Sequence, residues 1–366
     1  MFFRLALALC GMALIQCRDA ARTHNWFAMD SNMAVTLYGS TRVSDDSAFA
    51  RMEAETERLN VIFSDFSTLS ALSAVKGNVG DTLAIHPEIY RVLAYALEMS
   101  RASNGAFDLT MHDLKSLWGI GTGQEGRVPD SSEIDSVMKG NPIYHAPLAI
   151  DSVPVPLTLI PGNRAVLLRD HVQLDLGGIA KGYIVDCLHA LLDSLGCPNH
   201  IIQAGGEIRL GGSKKSGPWK VGIRHPRVAD SVSGFLKLKS SRAISTSGDY
   251  ERYFDKHGVR YHHIFDPRTG RPSPTVCAVT VVTDSGLHSD AITKPLFILG
   301  PELGAILARK YHASAVWFFA LPSGICAVSM PEMDSLLTLT LTPRPGVSEP
   351  RGLGAQLDRC RESRTW

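Results

Sequence analysis

The chain of 366 residues reads as α+β, with largely antiparallel sheets and packed helices. Three observations point there. Strand-like runs dominate the second half, and helical patterns are inserted among them irregularly, without the alternation that a parallel doubly wound sheet needs. Pro161-Gly162-Asn163 separates two apolar runs, a hairpin signal. The composition, 45% hydrophobic and 20% charged, is ordinary for a globular chain and suffices for one large domain or two small ones.

The first residues follow a different pattern. MFFR supplies a short charged start, and Leu5 to Ile15 is an apolar run of signal-peptide length, too short to span a bilayer. It ends in Leu14-Ile15-Gln16-Cys17, which resembles a bacterial lipobox, although Gln16 stands where a small residue is usual. This reading makes residues 1–17 a lipoprotein signal peptide and places the chain in the periplasm, anchored to the membrane by lipid on Cys17. Plain secretion, or a cytosolic chain with an apolar start, are the alternatives. Residues 18–32 read as a polar tether, 33–342 as the main domain, and 343–366, rich in Pro, Gly and Arg, as a disordered tail.

Within the domain, Phe49, Met52, Leu59, Ile62 and Phe63 have helical spacing, with Asp45, Asp46 and Ser47 as candidate caps. A second helix opens at Pro87, a good first helical residue, and stops near Asn104-Gly105. A third runs from about Gly178 to Leu195, with Gly196 as terminator. Strands are expected at 157–160, 165–168, 200–203, 220–223, 235–238, 276–282 and 314–319.

The net charge of +1, without a long basic run, argues against nucleic acid as a partner. Of seven cysteines, Cys187, Cys197, Cys277, Cys326 and Cys360 lie beyond the leader and show no CxxC spacing, so zinc has no support.

Five stretches could carry chemistry, each with a plainer alternative. Asp175-Leu-Gly-Gly-Ile-Ala-Lys181-Gly-Tyr sits where a strand turns into a helix. Its glycines admit a close ligand, and the helix N-terminus with Lys181 suits a phosphate or pyrophosphate. Otherwise it is a tight turn with a solvated lysine. Gly205-Gly206-Glu207-Ile-Arg follows a strand, but no helix opens after it, which disfavours a Rossmann dinucleotide site. It is a bulged hairpin turn or a seat for a flat ring. Ser245-Thr-Ser247-Gly248-Asp-Tyr250-Glu-Arg offers hydroxyls and N–H donors, or is a simple turn.

In RYHHIFDPRTG (260–270), His262 and His263 point to opposite faces of an extended segment, so one can be buried and the other presented as a general base. A structural histidine bonded to backbone is the alternative. In Ser289-Asp290-Ala-Ile-Thr293-Lys294, Asp and Thr share a helical face and supply oxygen ligands suited to magnesium, or Asp290 is an ordinary helix N-cap.

In order along the chain, Gly105-Ala106-Phe107-Asp108, DLGGIAKGYIVD, GGEIR, TSGDYER, HHIFDPRTG and SDAITKPLFILG resemble the ApbE family of FAD:protein FMN transferases, over about residues 30 to 325. The resemblance implies an α+β fold of two lobes around a flavin nucleotide cleft. It also implies magnesium-dependent cleavage of FAD, with FMN passed as a phosphoester to Thr or Ser of a target protein and AMP released. Typical targets are subunits of sodium-pumping quinone reductases and Rnf-type redox complexes. The carry-over gives Mg²⁺ held by Asp290, Thr293 and the Ala180 carbonyl, with Lys181 on the pyrophosphate. Asp108, Gly205, Gly206, Glu207, Ser247, Gly248, Tyr250 and Asp266 line the nucleotide pockets, and His263 is the base.

Two positions depart from the pattern. The family has threonine four residues after the aspartate; here that place is Lys294, and Thr293 comes one earlier. Either the helix start shifts, or a metal ligand is lost and the lysine occupies the site. The early pattern ends in Ser73 where the family has asparagine. Two other functions stay open: an FAD pyrophosphatase using water as acceptor, and a flavin-binding lipoprotein without chemistry, which Lys294 would favour. A structural tethered domain leaves the glycine and histidine motifs unexplained.

Overall fold

A computed structural model describes residues 21–64, 80–139, 141, 144, 155, 157–167, 173–214, 216–321 and 324–341. The expected leader with Cys17, the Ser67–Ser73 pattern and the tail from 343 lie outside the described residues.

The helices are α1 (Asp45–Phe63), α2 (Pro87–Ala102), α3 (His112–Trp118), α4 (Ser131–Met138), α5 (Ala180–Ser194), α6 (Gly286–Lys310) and α7 (Pro331–Asp334). The first strands in chain order are β1 (Arg22–Ala28), β2 (Ser31–Leu37), β3 (Thr82–Ala84), β4 (Leu157–Ile160), β5 (Arg164–Leu167), β6 (His200–Ala204), β7 (Glu207–Gly211), β8 (Trp219–Arg224) and β9 (Val232–Leu238). They are followed by β10 (Arg242–Gly248), β11 (Tyr253–Lys256), β12 (Val259–His262), β13 (Phe265–Asp266), β14 (Arg271–Pro272), β15 (Ala278–Thr283), β16 (Ser314–Leu321), β17 (Gly324–Ser329) and β18 (Leu337–Leu339).

Eight strands form one sheet in the order β1-β2-β6-β7-β10-β15-β16-β17, antiparallel throughout. Two three-stranded sheets, β18-β9-β8 and β3-β5-β4, and two hairpins complete the β structure among the described residues. The α+β expectation holds.

Strand structure begins within the stretch 18–32 that was expected as a tether. Residues 22–28 and 31–37 pair as β1 and β2, and β2 joins the main sheet through β6. Met33, Val35 and Leu37 alternate inward and are buried, which fixes the register of β2.

Helix α1 is capped by Ser44, whose hydroxyl accepts from Ser47 N, one residue before the expected caps. Helix α2 starts at Pro87 as expected. Helix α6 starts at Gly286 with Ser285 as its N-cap, earlier than its motif suggested, and breaks at Gly300, whose φ of 70° and ψ of −178° are accessible to glycine alone. By length and composition α6 could cross a membrane. Here it packs against β10 and β15 as a core helix, with Leu296 and Phe297 fully buried.

Helices α5 and α6 cross where Gly182 meets Gly286. A methyl group on Gly182 would lie 2.1 Å from the Gly286 carbonyl oxygen, so only glycine permits this approach. A smaller core of Met111, Leu114, Trp118, Ile120, Ile134, Met138 and Phe265 forms apart from the main one, under the hairpin β13–β14.

Candidate functional site

The close crossing of α5 and α6 lets each helix satisfy the other's N-terminus. Asp186 of α5 accepts from Gly286 N (2.8 Å), Leu287 N (3.0 Å) and Ser285 Oγ (2.7 Å) at the start of α6. Asp290 of α6 accepts from Gly182 N (2.9 Å) in the first turn of α5, whose own N-cap residue Ile179 provides no side-chain bond. Asp290 is therefore not the cap of its own helix. It is a fully buried carboxylate that serves as a cap in trans.

This changes the anion site expected at the start of α5. Gly182 N is taken by Asp290, and Ile179 N and Ala180 N both bond to Leu176 O. Cationic side chains also stand beside that turn. Lys181 Nζ stands 3.6 Å from Glu207 Oε2. That distance exceeds a hydrogen bond, and this buried oxygen has no hydrogen-bond partner. The neighbouring Glu207 carboxylate, outweighing burial, holds Lys181 above the ordinary lysine range. Burial pushes Glu207 up to about 7, against the pull of Lys181.

Lys294 lies one turn after Asp290 on α6. Its Nζ donates to Asp290 Oδ1 and, at 3.0 Å, to the Asp290 carbonyl. Burial alone would raise Asp290, but Lys294 and then Lys181 outweigh it and hold the carboxyl below the usual range, so it is ionised. The Lys294 stem runs beside the double-glycine turn, where a methyl on Gly178 would lie 3.5 Å from Lys294 Cε. Thr293 turns the other way. Its hydroxyl donates to Asp290 O (2.8 Å) and accepts from Ser247 Oγ (2.9 Å), which ties β10 to α6.

Two of the three expected magnesium donors, the Asp290 carboxylate and the Thr293 hydroxyl, are thus already engaged. Asp290 carries an ammonium on one oxygen and an N–H on the other, and the Thr293 hydroxyl bridges two protein groups. An ammonium and a divalent ion about 4 Å apart repel by about 8 kcal/mol at an effective dielectric near 20. The donor set does not fit a divalent ion while Lys294 is charged. The helix start has not shifted to compensate: Asp290 remains buried, and Lys294 occupies the position one turn further.

The two histidines separate as the alternation implied. His262 is buried, faces Ser273 O through Nε2 (2.9 Å) and accepts from Ile264 N at Nδ1, so it is structural. His263 is half-buried, and its Nδ1 is 3.3 Å from Arg252 O. Donation from Nδ1 to that carbonyl leaves Nε2 as the basic atom. Burial, then the charge of Lys115, keeps His263 well below its ordinary value, so the ring is neutral at neutral pH. Lys115 itself pairs with Asp175, whose Oδ1 accepts from Gly177 N (2.8 Å) in the double-glycine turn. Lys115, Asp186 and Arg252 carry no local sequence signal for these contacts, because their partners are distant in the chain.

Other expected site residues are committed to structure. Asp108 accepts from Thr110 N (2.9 Å), Thr110 Oγ1 (2.8 Å) and Asn141 Nδ2 (2.9 Å). Its neighbour Phe107 packs beside Gly178. Asp266 holds Arg268 through two bonds of 2.7 and 2.6 Å and closes the turn at Gly270. Gly205 and Gly206 form a tight turn between β6 and β7, and a methyl on Gly206 would lie 2.7 Å from Thr246 O. Gly248 leaves room for the ring of Tyr250, over which Arg224 lies 4.9 Å from the centroid. A cavity of about 430 Å³ opens beside Arg252, lined also by Asp30, Gly121, Gln124, Tyr253 and Phe254.

The model of the ApbE family matches residues 29–318. The FAD:protein FMN transferase of Vibrio cholerae is 34% identical over 259 residues, covering 69% of this chain and 73% of the relative. That of Rhodobacter capsulatus is 33% identical over 269 residues and 74% of this chain; the match spans about half (49%) of that longer relative. Among solved structures, the ApbE protein of Thermotoga maritima superposes with a TM-score of 0.73 at 28% identity, covering 87% of this chain and 99% of that one. The flavin transferase ApbE of Vibrio cholerae gives 0.72 at 26%, covering 87% and 100%.

Proposed function

The chain belongs to the ApbE family, and from that premise we propose that it cleaves FAD and transfers FMN to a hydroxyl group of a target protein. The observation that carries this reading is the pairing of a cationic turn with a neutral histidine. Lys181 and Lys294 stand at the start of α5, and Lys115, paired with Asp175 of the same double-glycine turn, exerts its charge on His263.

In this reading the FAD diphosphate lies against Lys181 and Lys294, whose charges draw electron density from the phosphorus atoms. A serine or threonine oxygen of the acceptor attacks the phosphorus on the FMN side. His263 Nε2 takes the hydroxyl proton. The bond from that phosphorus to the bridging oxygen breaks, AMP leaves with the electron pair, and FMN remains as a phosphoester on the acceptor. No step runs through magnesium, which the family resemblance implied and this donor set does not accommodate.

The expected acceptor is a periplasmic redox subunit of the Rnf or sodium-pumping quinone reductase type. The apolar run ending at Cys17 supports delivery of this chain to that compartment as a lipid-anchored protein. The test is AMP release from FAD with and without an acceptor peptide carrying D-x-x-[ST]-G-A-[ST]. Acceptor-dependent AMP supports transfer. AMP with free FMN and no dependence on peptide identifies a pyrophosphatase. FAD binding without AMP identifies a flavin-binding protein.

A further inference from the structure

We propose that the ammonium of Lys294 stands in place of a divalent cation, so that this chain binds the diphosphate of a flavin nucleotide without magnesium. The inference rests on the reading of the site as an FAD site and goes beyond it in naming the cation.

Four observations converge. The first is position. Lys294 lies one helical turn from the buried Asp290 on α6. The second is contact. Its Nζ donates to Asp290 Oδ1 and O, which are oxygens a metal ion would otherwise seek. An ammonium has three protons, and two are directed to Asp290, which leaves one for a phosphate oxygen.

The third is surroundings. The Lys294 stem passes beside Gly178, so the charge stands at the double-glycine turn before α5, and the side chain keeps 21% exposure. The fourth is charge balance. The carboxyl groups of Asp290 and Glu207 face the ammonium groups of Lys181 and Lys294. Thr293 cannot ligate a cation without giving up its bonds to Ser247 and Asp290. A divalent ion would add two charges beside an existing ammonium. A bound diphosphate would instead meet the ammonium groups of Lys181 and Lys294.

The test is FAD affinity of the full chain, followed by flavin fluorescence in EDTA and in excess magnesium. The wild-type dissociation constant is expected to change by less than about twofold between the two buffers. Lys294→Met should weaken binding at least about tenfold in both. Lys294→Thr should weaken it in EDTA and recover it in magnesium. A separate readout uses Mn²⁺ and electron paramagnetic resonance: the FAD complex of K294T should hold manganese, and that of the wild type should not.

Tenfold loss of wild-type affinity in EDTA, or stoichiometric manganese in the wild-type complex, would overturn the inference while leaving the flavin site intact. FAD binding in neither buffer would overturn the flavin reading itself, and this one with it. The wild-type measurements decide the matter even if a variant fails to fold.

Discussion

The carboxylate of Asp290 on α6 accepts the N–H of Gly182 on α5 at 2.9 Å, across 108 positions of sequence. Asp186 on α5 returns the exchange at the start of α6. This reciprocal capping positions both Lys181, beside Gly182, and Lys294, one turn beyond Asp290.

The crossing depends on the absence of a side chain. Gly182→Ala would place a methyl 2.1 Å from the Gly286 oxygen and 2.5 Å from Asp290 Cβ, and the first of these is backbone. A loss of about 2–3 kcal/mol is expected from forcing the helices apart. Urea denaturation measures it, and an unchanged midpoint would show that the helices separate freely.

Asp186→Ala leaves Gly286 N, Leu287 N and Ser285 Oγ without their acceptor and releases Arg209, which is bonded to Asp186 at 2.9 Å. Stability should fall by about 2–3 kcal/mol, the cost of stranding such donors. FAD binding should weaken too, although Asp186 belongs to the support of the site. Fluorescence titration at a temperature where the variant is folded checks the second effect.

His263 is held neutral by burial and by Lys115. Because its proton affinity is lowered, the base form persists as pH falls through 6.5, and the acidic limb of the AMP-release profile should lie well below that value. His263→Ala should slow AMP release by about 10²–10⁴-fold with FAD affinity nearly unchanged. Loss of binding with an unchanged rate at saturation would remove the base role.

His200 is fully buried, with Nδ1 on Cys197 O (2.7 Å) and Nε2 on His189 Nδ1 (2.8 Å). Burial pushes it down to about 4. The unfolded chain takes up this proton near 6.5, so between pH 6.5 and 4 it binds more protons than the folded chain. Stability is complete above pH 6.5 and falls as pH drops, by up to about 3 kcal/mol at pH 4. Urea midpoints at pH 7 and 4.5 should differ more in the wild type than in His200→Gln.

Legibility in the sequence followed the range of the interactions. Helices α1, α2 and α5 announce themselves by apolar spacing and by Pro87 or Gly196 at their ends. The short α3 and α4 are too brief for a period to show. Strand β1 was hidden because its residues are exposed or half-exposed, as suits the edge of the sheet. The divergent roles of His262 and His263 were legible from alternation, but which one is buried depends on Ser273 and Arg252. The departure at Lys294 was visible; its placement on Asp290 required the helix register. Asp186 carried no local signal, since the groups it caps lie 99 to 101 residues away.

Transfer of FMN onto protein by this site is tested most directly by intact-mass spectrometry of the acceptor. The acceptor polypeptide is incubated with FAD and the full chain, with wild type and His263→Ala in parallel. The expected result is an acceptor heavier by one FMN less water, with equimolar AMP, and little adduct with the variant. An unmodified acceptor beside wild-type chain that has bound FAD would contradict the transferase reading.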